Sequence, residues 1–556
     1  MNIADYLVSF LAACGVKCIF GYPGSPLVPM FAALERQTDV RWILMRHENS
    51  AALAASAYAK ATGGLGVCMA TSGPGALNFI CGVVDGHLDR VPVLALTGLV
   101  STANQGHWEF QDVDQSRLFS SILSRSATCV HPAQLPALLR NFVGHALQQD
   151  ETVHLALPSD ILTAEIDEVN SAFHLDAKQI PAPLNLLPPP PQALDIVADE
   201  LQQYRQIVIV LGRRALHCGA DIEQLAEKLG APIVTSLDGK GIVDESHPHV
   251  LGVLGIFGFP AVETTKRILQ GADAILAFGI DTLKPFLTDD MDVQRRSLFQ
   301  CEAQFSSLTH EYHRTHALLG PLSAIARGLS ERLPGRTNSA MIEALGQERQ
   351  AFMRQFTSGM SSTGGKYAQP ITFLLHLNQY LDQHCTVVLD TGAHTLWAAQ
   401  FLQLTKRQRL LVSSRLGTMG FSIPAAIAAQ LANPNDRVVA ICGDGGFQMV
   451  VGELATAAQY QLPIILVVFN NGLLQNVAAQ QAHPFGTTLQ NPDFVALVRA
   501  FGGDGAVVDG STDMEAVLQQ AFAHRDAPFL IDLRCDPSVM APLSKWERSF
   551  APLTMA

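Results

Sequence analysis

The residues best placed to do chemistry stand late in the sequence, in GDGGFQMVVGELATAAQYQLPIILVVFNN, from Gly443 to Asn471. RVVAIC before them reads as a strand. Gly443-Asp444-Gly445-Gly446 reads as a tight turn made possible by glycine backbone. The apolar spacing from Phe447 to Tyr460 is helical, and Pro463 to Phe469 reads as a second strand ending at Asn470-Asn471. A right-handed crossover makes the two strands parallel, so their carboxyl ends share one sheet edge. Asp444 and Asn471 thereby come together as a carboxylate and an amide oxygen, hard ligands of the kind Mg²⁺ takes. The helix expected after Gly446 aims free N–H groups and its positive dipole end at the same place, which suits two phosphates. An ordinary βαβ unit would explain GDG alone, but GDG with NN at two strand ends is specific.

A second set of polar groups falls in the first third of the chain. Glu48, in Arg46-His47-Glu48-Asn49-Ser50, follows a strand from Trp42 to Met45 and opens an alanine-rich helix. Taken alone, a carboxylate in a first helical turn needs no more explanation than the dipole. Gly21-Tyr22-Pro23-Gly24-Ser25 and Thr71-Ser72-Gly73-Pro74-Gly75-Ala76-Leu77-Asn78 are further turns at strand ends, and Phe110-Gln111-Asp112 lies beyond them. In the last third, Asp390-Thr391-Gly392-Ala393-His394-Thr395 ends another strand. Arg415-Leu416-Gly417-Thr418-Met419-Gly420-Phe421 is a glycine-rich loop whose Met, by type alone, would be core.

Three α/β units must position these groups. The chain has 556 residues, 48% hydrophobic and 16% charged, which is too long for one core and too apolar for disorder. Apolar strands alternate with helical patterns over residues 1–165, 190–335 and 366–545, and this alternation predicts doubly wound parallel sheets. The first and third units share a coarse pattern of strands ending in glycine-rich turns. Ile180 to Gln192, with its four consecutive prolines, is the clearest linker. Pro334 to Gly365 reads as a polar helix and connector.

Composition excludes several classes of function. A net charge of −13 without a basic cluster argues against nucleic acid as a partner. Ten scattered cysteines with no zinc spacing fit a reducing cytoplasm. The first residues, with Asp5 interrupting the apolar run, read as an amphipathic helix and not a signal peptide, and no run is apolar for the roughly 18 residues of a membrane span.

GDG and NN at this spacing, with ENSAALAA, TSGPG and LGTMG upstream of or between them, resemble the thiamine-diphosphate (ThDP)-dependent enzymes, and most closely the acetolactate synthase and pyruvate oxidase group. The resemblance covers nearly the whole chain and implies pyrimidine-binding, central and diphosphate-binding domains. It implies that Asp444, Asn471 and the carbonyl of Leu473 hold Mg²⁺, with Gly443, Gly445 and Gly446 around the diphosphate. Glu48 would hydrogen-bond N1′ of the aminopyrimidine and so activate C2. Gly417 would offer its carbonyl to the 4′-amino group, and Met419 would bend the cofactor from beneath. Gly392, His394 and Thr395 would meet the diphosphate. Tyr22, Pro23, Gly24, Thr71 and Asn78 would approach the cofactor from the first domain, with Gln111 on the substrate side. The usual Glu after that Gln is Asp112 here.

The implied reaction is decarboxylation of a pyruvate-like 2-oxo acid and ligation of the acyl unit to an acceptor carbonyl. Plain decarboxylation, carbon–carbon lysis or oxidation is the alternative, and a non-catalytic regulatory protein is a third reading. No adjacent His-His pair of the kind simple decarboxylases use lies near Gln111, which favours ligation. The Trp that shapes the acceptor pocket of biosynthetic synthases is Gln480 here, and Gln475 makes the same wall polar. Flavin-binding relatives end a central strand in an acidic turn. Ser297 to Glu302 offers only Glu302 for ribose, and the turn at Gly212 lacks GxG, so FAD is not favoured. The resemblance implies a homodimer at least, and a homotetramer as a dimer of dimers.

Overall fold

The computed structural model describes residues 1–166, 181, 186–253, 267–268, 271–280, 296–308, 316–336, 338–357, 365–382 and 384–541. Part of the expected linker, residues 180 and 182–185, lies outside them, as do residues 542–545 of the expected third unit.

Three six-stranded parallel sheets carry the fold, as the alternating pattern predicted. The first contains β1 (Cys18–Gly21), β2 (Arg41–Leu44), β3 (Gly66–Ala70), β4 (Val93–Leu99), β5 (Ser126–Thr128) and β6 (Thr152–Pro158), in the order β2-β1-β3-β4-β6-β5. The central sheet contains β7 (Ile207–Leu211), β8 (Ile233–Thr235), β9 (Val250–Val253), β10 (Ala274–Phe278), β11 (Ser297–Glu302) and β12 (His316–Leu319), ordered β12-β11-β10-β7-β8-β9. The third contains β13 (Cys385–Leu389), β14 (Arg409–Val412), β15 (Arg437–Gly443), β16 (Ile465–Asn470), β17 (Asp504–Val508) and β18 (Phe529–Arg534), ordered β14-β13-β15-β16-β18-β17. First and third sheets therefore have one topology. The central sheet has the strand order of dinucleotide-binding folds. Continuous apolar strands such as β4 and β16 are buried because helices cover both sheet faces.

The first and third units share a core. Helix Glu48–Thr62, almost all small residues, lies against helix Ser422–Ala432, equally rich in alanine. Small side chains let the two helices approach closely, and ridges of methyl groups fill the seam. At the end of that seam, Lys60 Nζ is 2.6 Å from Asp89 Oδ2 and 3.7 Å from Asp85 Oδ2, and it donates to Val412 O at 2.9 Å. Asp89 also accepts from the Ser414 and Arg415 amides at 3.1 and 2.9 Å, while Asp85 accepts from the hydroxyls of Ser413 and Thr418. The strand-to-loop segment before Gly417 is thus tied to the first unit by buried charge.

Local readings differ from the sequence pattern at three points. The helix expected over Phe447 to Tyr460 is two helices, Asp444–Met449 and Glu453–Gln459. The break at Val450 to Gly452 faces the first unit, and Glu453 then accepts from the Arg46 and His47 amides at 3.0 and 3.1 Å. The first of these helices starts at Asp444, not after Gly446, with Gly443 as its N-cap at φ −87°. Pro191, the last of the four prolines, opens helix Pro191–Leu201 at N1, where its missing N–H costs nothing. The helix expected within 334–365 is present as Ser339–Thr357.

Candidate active site

The carboxyl ends of β13, β15 and β16 meet at a cavity of about 280 Å³. Thr391, Gly392, His394, Gly417, Met419, Gly443 to Gly446, Asn471, Leu474 and Gln475 line it, with Trp397, Asn476, Val477, Cys535, Asp536 and Val539. Crossover geometry placed Asp444 and Asn471 at one sheet edge, and both face this cavity.

Asp444 is almost completely buried. Burial pushes its carboxyl group up, and hydrogen bonds from the Asn491 side chain and the Gly472, Gly445 and Asn471 backbones oppose that rise. Oδ1 accepts from Gly445 N at 2.9 Å, and Oδ2 accepts from Gly472 N and Asn491 Nδ2, each at 2.7 Å. Asn491 Nδ2 also reaches Asn470 Oδ1 at 2.8 Å, and Gln448 Nε2 donates to Asn491 Oδ1 at 2.9 Å. Asn471 Oδ1 accepts from Leu473 N at 3.0 Å, which leaves the amide oxygen a second lone pair.

The glycines of GDGG serve clearance and not positive φ, contrary to the turn-based reading. A Cβ at Gly443 would lie 3.1 Å from His394 Nδ1, at Gly445 2.8 Å from Leu474 Cδ2, and at Gly446 3.1 Å from Asp390 Oδ2. The left-handed residues lie in the neighbouring loops: Gly417 at φ +66°, Gly420 at +83° and Gly472 at +66°.

His394 is buried, and loss of solvation lowers its pKa to about 4, so the ring is neutral. Its Nε2 has no hydrogen-bond partner. Thr395 does not line this cavity. Its hydroxyl donates to Asp390 O at 2.6 Å and accepts from Gly392 N at 3.2 Å, closing its own helix start. Asp390 escaped the sequence reading. Its carboxylate accepts from Gly420 N at 2.9 Å and from Ser422 N and Oγ at 3.2 and 2.7 Å, fixing the loop that carries Met419. Asn491 was missed as well, because nothing near it in sequence marks an Asn twenty residues past a strand as a partner of Asp444.

Glu48 is the first residue of its helix, capped by His47, whose Nδ1 accepts from Asn49 N at 3.1 Å. Asn78 Nδ2 donates to Glu48 Oε2 at 3.1 Å, and a Cβ at Gly75 would sit 3.4 Å from Glu48 Oε1. Among the described residues, Thr71 Oγ1 and Asn49 Oδ1 are buried without partners. Gly24 stands so close to Thr71 that a Cβ there would overlap Oγ1 at 2.1 Å. Gln111, at φ +64°, lies against Gly73 and accepts from Ser72 Oγ at 3.2 Å. The fold therefore gathers Gly24, Glu48, Thr71, Asn78 and Gln111 at one edge of the first sheet, with Tyr22 and Pro23 exposed beside them.

No first-unit residue lines the third unit's cavity. The first unit's edge carries exposed apolar side chains instead: Leu77 at 48%, Phe110 at 79% and Trp108 fully exposed. Gln480 is absent from the cavity wall, because its side chain turns back to Asn476 O at 2.8 Å. Gln475 lines the wall with its amide already committed: Oε1 accepts from Asn471 Nδ2 at 3.2 Å, and Nε2 donates to Pro537 O and Val539 O at 3.0 Å each. Leu473 sits in the turn after Asn471, bridged to Thr488.

A buried carboxylate, an amide oxygen and a neutral buried His thus share the carboxyl edge of a parallel α/β sheet, where folds of this class take ligands. Protein-family models match all three units. The N-terminal TPP binding domain of thiamine pyrophosphate enzymes matches residues 1–118, the central domain 194–329, and the C-terminal TPP binding domain 390–533. Acetolactate synthase isozyme 2 large subunit of Escherichia coli is 32% identical over 562 residues, covering 96% of each chain. Acetolactate synthase large subunit of Cyanidium caldarium is 30% identical, covering 95% of this chain and 92% of the relative. Acetolactate synthase of Arthrospira platensis is 29% identical, covering 95% and 93%. The chain belongs to the thiamine pyrophosphate enzyme family, in its acetolactate synthase-like branch. No helix among the described residues is long and apolar enough to cross a membrane.

Proposed function

We propose that this enzyme uses ThDP and Mg²⁺ to decarboxylate a pyruvate-like 2-oxo acid and ligate the acyl unit to an acceptor carbonyl. The full-length likeness to acetolactate synthases supports the reaction class. The observation that carries the assignment of residues is the cradle itself. Asp444 and Asn471 offer two oxygens to Mg²⁺, and the neutral ring of His394 faces the same cavity. The residues present fit the cofactor, with Gly392, Gly443, Gly445 and Gly446 leaving room for the diphosphate. When bound, ThDP supplies the electron sink that decarboxylation requires.

The chain's own groups do the rest. Glu48 holds a proton-exchanging carboxyl group at the pyrimidine end, oriented by Asn78. Met419 and Gly417 both line the cavity, where Met419 would support the bound cofactor and Gly417 would present its backbone to it. Gln111 faces the substrate side. Trp397, Val477 and Val539 give the cavity apolar wall.

Glu48 and the cradle lie on different units, and the exposed Leu77, Phe110 and Trp108 beside Glu48 await a cover. A second copy supplies it, so a homodimer is the smallest active form, with a homotetramer as its dimer. Ten free cysteines fit a reducing cytoplasm.

Two experiments test this reading. Pyruvate, ThDP and Mg²⁺ with mass-spectrometric product analysis should give carbon dioxide and a ligated acyloin or 2-hydroxy-2-acyl acid. Free aldehyde as the sole product would replace ligation with plain decarboxylation. Mixing inactive Glu48→Gln and Asp444→Asn chains should restore about one quarter of wild-type activity, since half of the dimers formed carry one intact shared site. No recovery after proven subunit exchange would place both groups on one chain's site.

A further inference from the structure

Gln475 carries three hydrogen bonds from a side chain only 6% exposed, and it sits between two parts of the molecule. One part is Asn471 of the cradle. The other is the C-terminal segment Cys535–Ala541, of which Cys535, Asp536 and Val539 line the cavity.

The bonding pattern fixes orientation. Pro537 O and Val539 O can only accept, so the Gln475 NH₂ group must point to them. Its Oε1 then points to Asn471 and can only accept. Asn471 must therefore present its own NH₂ to Gln475 and turn Oδ1 away. Leu473 N donating to that same Oδ1 agrees with this orientation independently.

We propose that Gln475 is a positioning residue that locks the Asn471 amide with its oxygen toward the cation, and that clasps Cys535–Ala541 over the cavity in the same act. Cation binding and docking of that segment are consequently one coupled event. A group so placed acts through Asn471 and through the segment, and is not a free recognition group for substrate.

The inference rests on Asp444 and Asn471 holding Mg²⁺, and the test separates the two. Full-length wild type, Gln475→Met and Gln475→Glu are titrated with Mg²⁺ at saturating ThDP, using calorimetry and the fluorescence of Trp397, which lines the cavity. Hydrogen exchange of residues 536–541 is followed with and without Mg²⁺-ThDP. Methionine keeps the volume and loses all three bonds. Its Mg²⁺ affinity should fall 10- to 100-fold, the usual cost of losing a partner behind a metal ligand. Exchange in the segment should be fast and should no longer respond to Mg²⁺-ThDP. Glutamate keeps an acceptor for Asn471 and loses both donors, so Mg²⁺ affinity should hold while the segment still exchanges fast. Wild-type affinity and wild-type protection in Gln475→Met would overturn the clasp alone. Failure of wild type to bind Mg²⁺-ThDP, or unchanged binding in Asp444→Asn, would overturn the cradle beneath it.

Discussion

Replacing Lys60 by Met strands two carboxylates in the seam between the first and third units. Lys60, Asp85 and Asp89 side chains are all at most 2% exposed. Burial works against ionisation of Asp89, yet the adjacent ammonium and the Ser414 donors outweigh it and hold that carboxyl group low. Burial dominates at Asp85 and raises it, with Lys60 opposing. Removing one partner of a buried ion pair costs about 3–5 kcal/mol, because the other is left charged without compensation. Hydrogen exchange at the amides of Ser414 and Arg415, which donate to Asp89, would report this locally, without requiring two-state unfolding of a large protein. Their protection should fall by roughly two-hundred- to five-thousandfold in Lys60→Met at pH 8.

The sign with pH follows from the same groups. In the variant, Asp85 has lost its cation, so its folded pKa rises further above the unfolded value. A raised acid favours the folded state while protonated, and that advantage disappears as pH climbs from about 4 through the raised pKa. The deficit against wild type should therefore shrink at pH 5.5 by about 1 kcal/mol or more, because each tenfold gain in proton affinity is worth about 1.36 kcal/mol. Adding Asp85→Asn to Lys60→Met should recover part of the loss at pH 8. Unchanged protection at Ser414 and Arg415, or a loss identical at both pH values, would refute the argument.

Three further outcomes are expected. Asn491→Leu removes the donor to Asp444 Oδ2 and the tie to Asn470, so Mg²⁺ affinity measured by calorimetry should fall about 10- to 100-fold. Glu48→Gln should bind Mg²⁺-ThDP nearly as wild type but lose about 10²- to 10⁴-fold in turnover, read as deuterium exchange at C2 of the bound cofactor. His154 is fully buried between the Thr97 and Ser126 hydroxyls, and burial lowers its pKa to about 3. Its neutral form is the one that packs, so stability is lost as pH falls from about 6.5 toward 3, by at most roughly 4–5 kcal/mol. His154→Gln should flatten the acid limb of a denaturation profile over that range.

Much of this fold was legible because strands buried on both faces read as unbroken apolar runs, and the turns after them carry the polar groups. Periodicity located β15 and β16, and handedness alone brought Asp444 to Asn471. What stayed hidden depends on contacts between distant segments. The break at Val450 to Gly452 follows from Glu453 reaching the amides of Arg46 and His47, which no local pattern contains. The GDGG glycines read as turn formers, yet they avoid clashes with His394, Leu474 and Asp390. Asn491 and Asp390 act through the groups they orient, and their own neighbourhoods in sequence look ordinary. Gln480, aligned with the acceptor-pocket Trp of biosynthetic synthases, bonds its own helical turn, which no local pattern foretells.

The alanine seam between Glu48–Thr62 and Ser422–Ala432 also sets a timetable for birth of the chain. A ribosome adding roughly 5–20 residues per second releases the second helix some 20–70 seconds after the first. Throughout that interval the nascent protein displays a smooth methyl surface, and Asp89 at its rim lacks the donors that Ser414 and Arg415 later bring. Holding factors that shield such surfaces during translation would thus decide yield, and splitting the gene between the outer units should produce an insoluble N-terminal fragment.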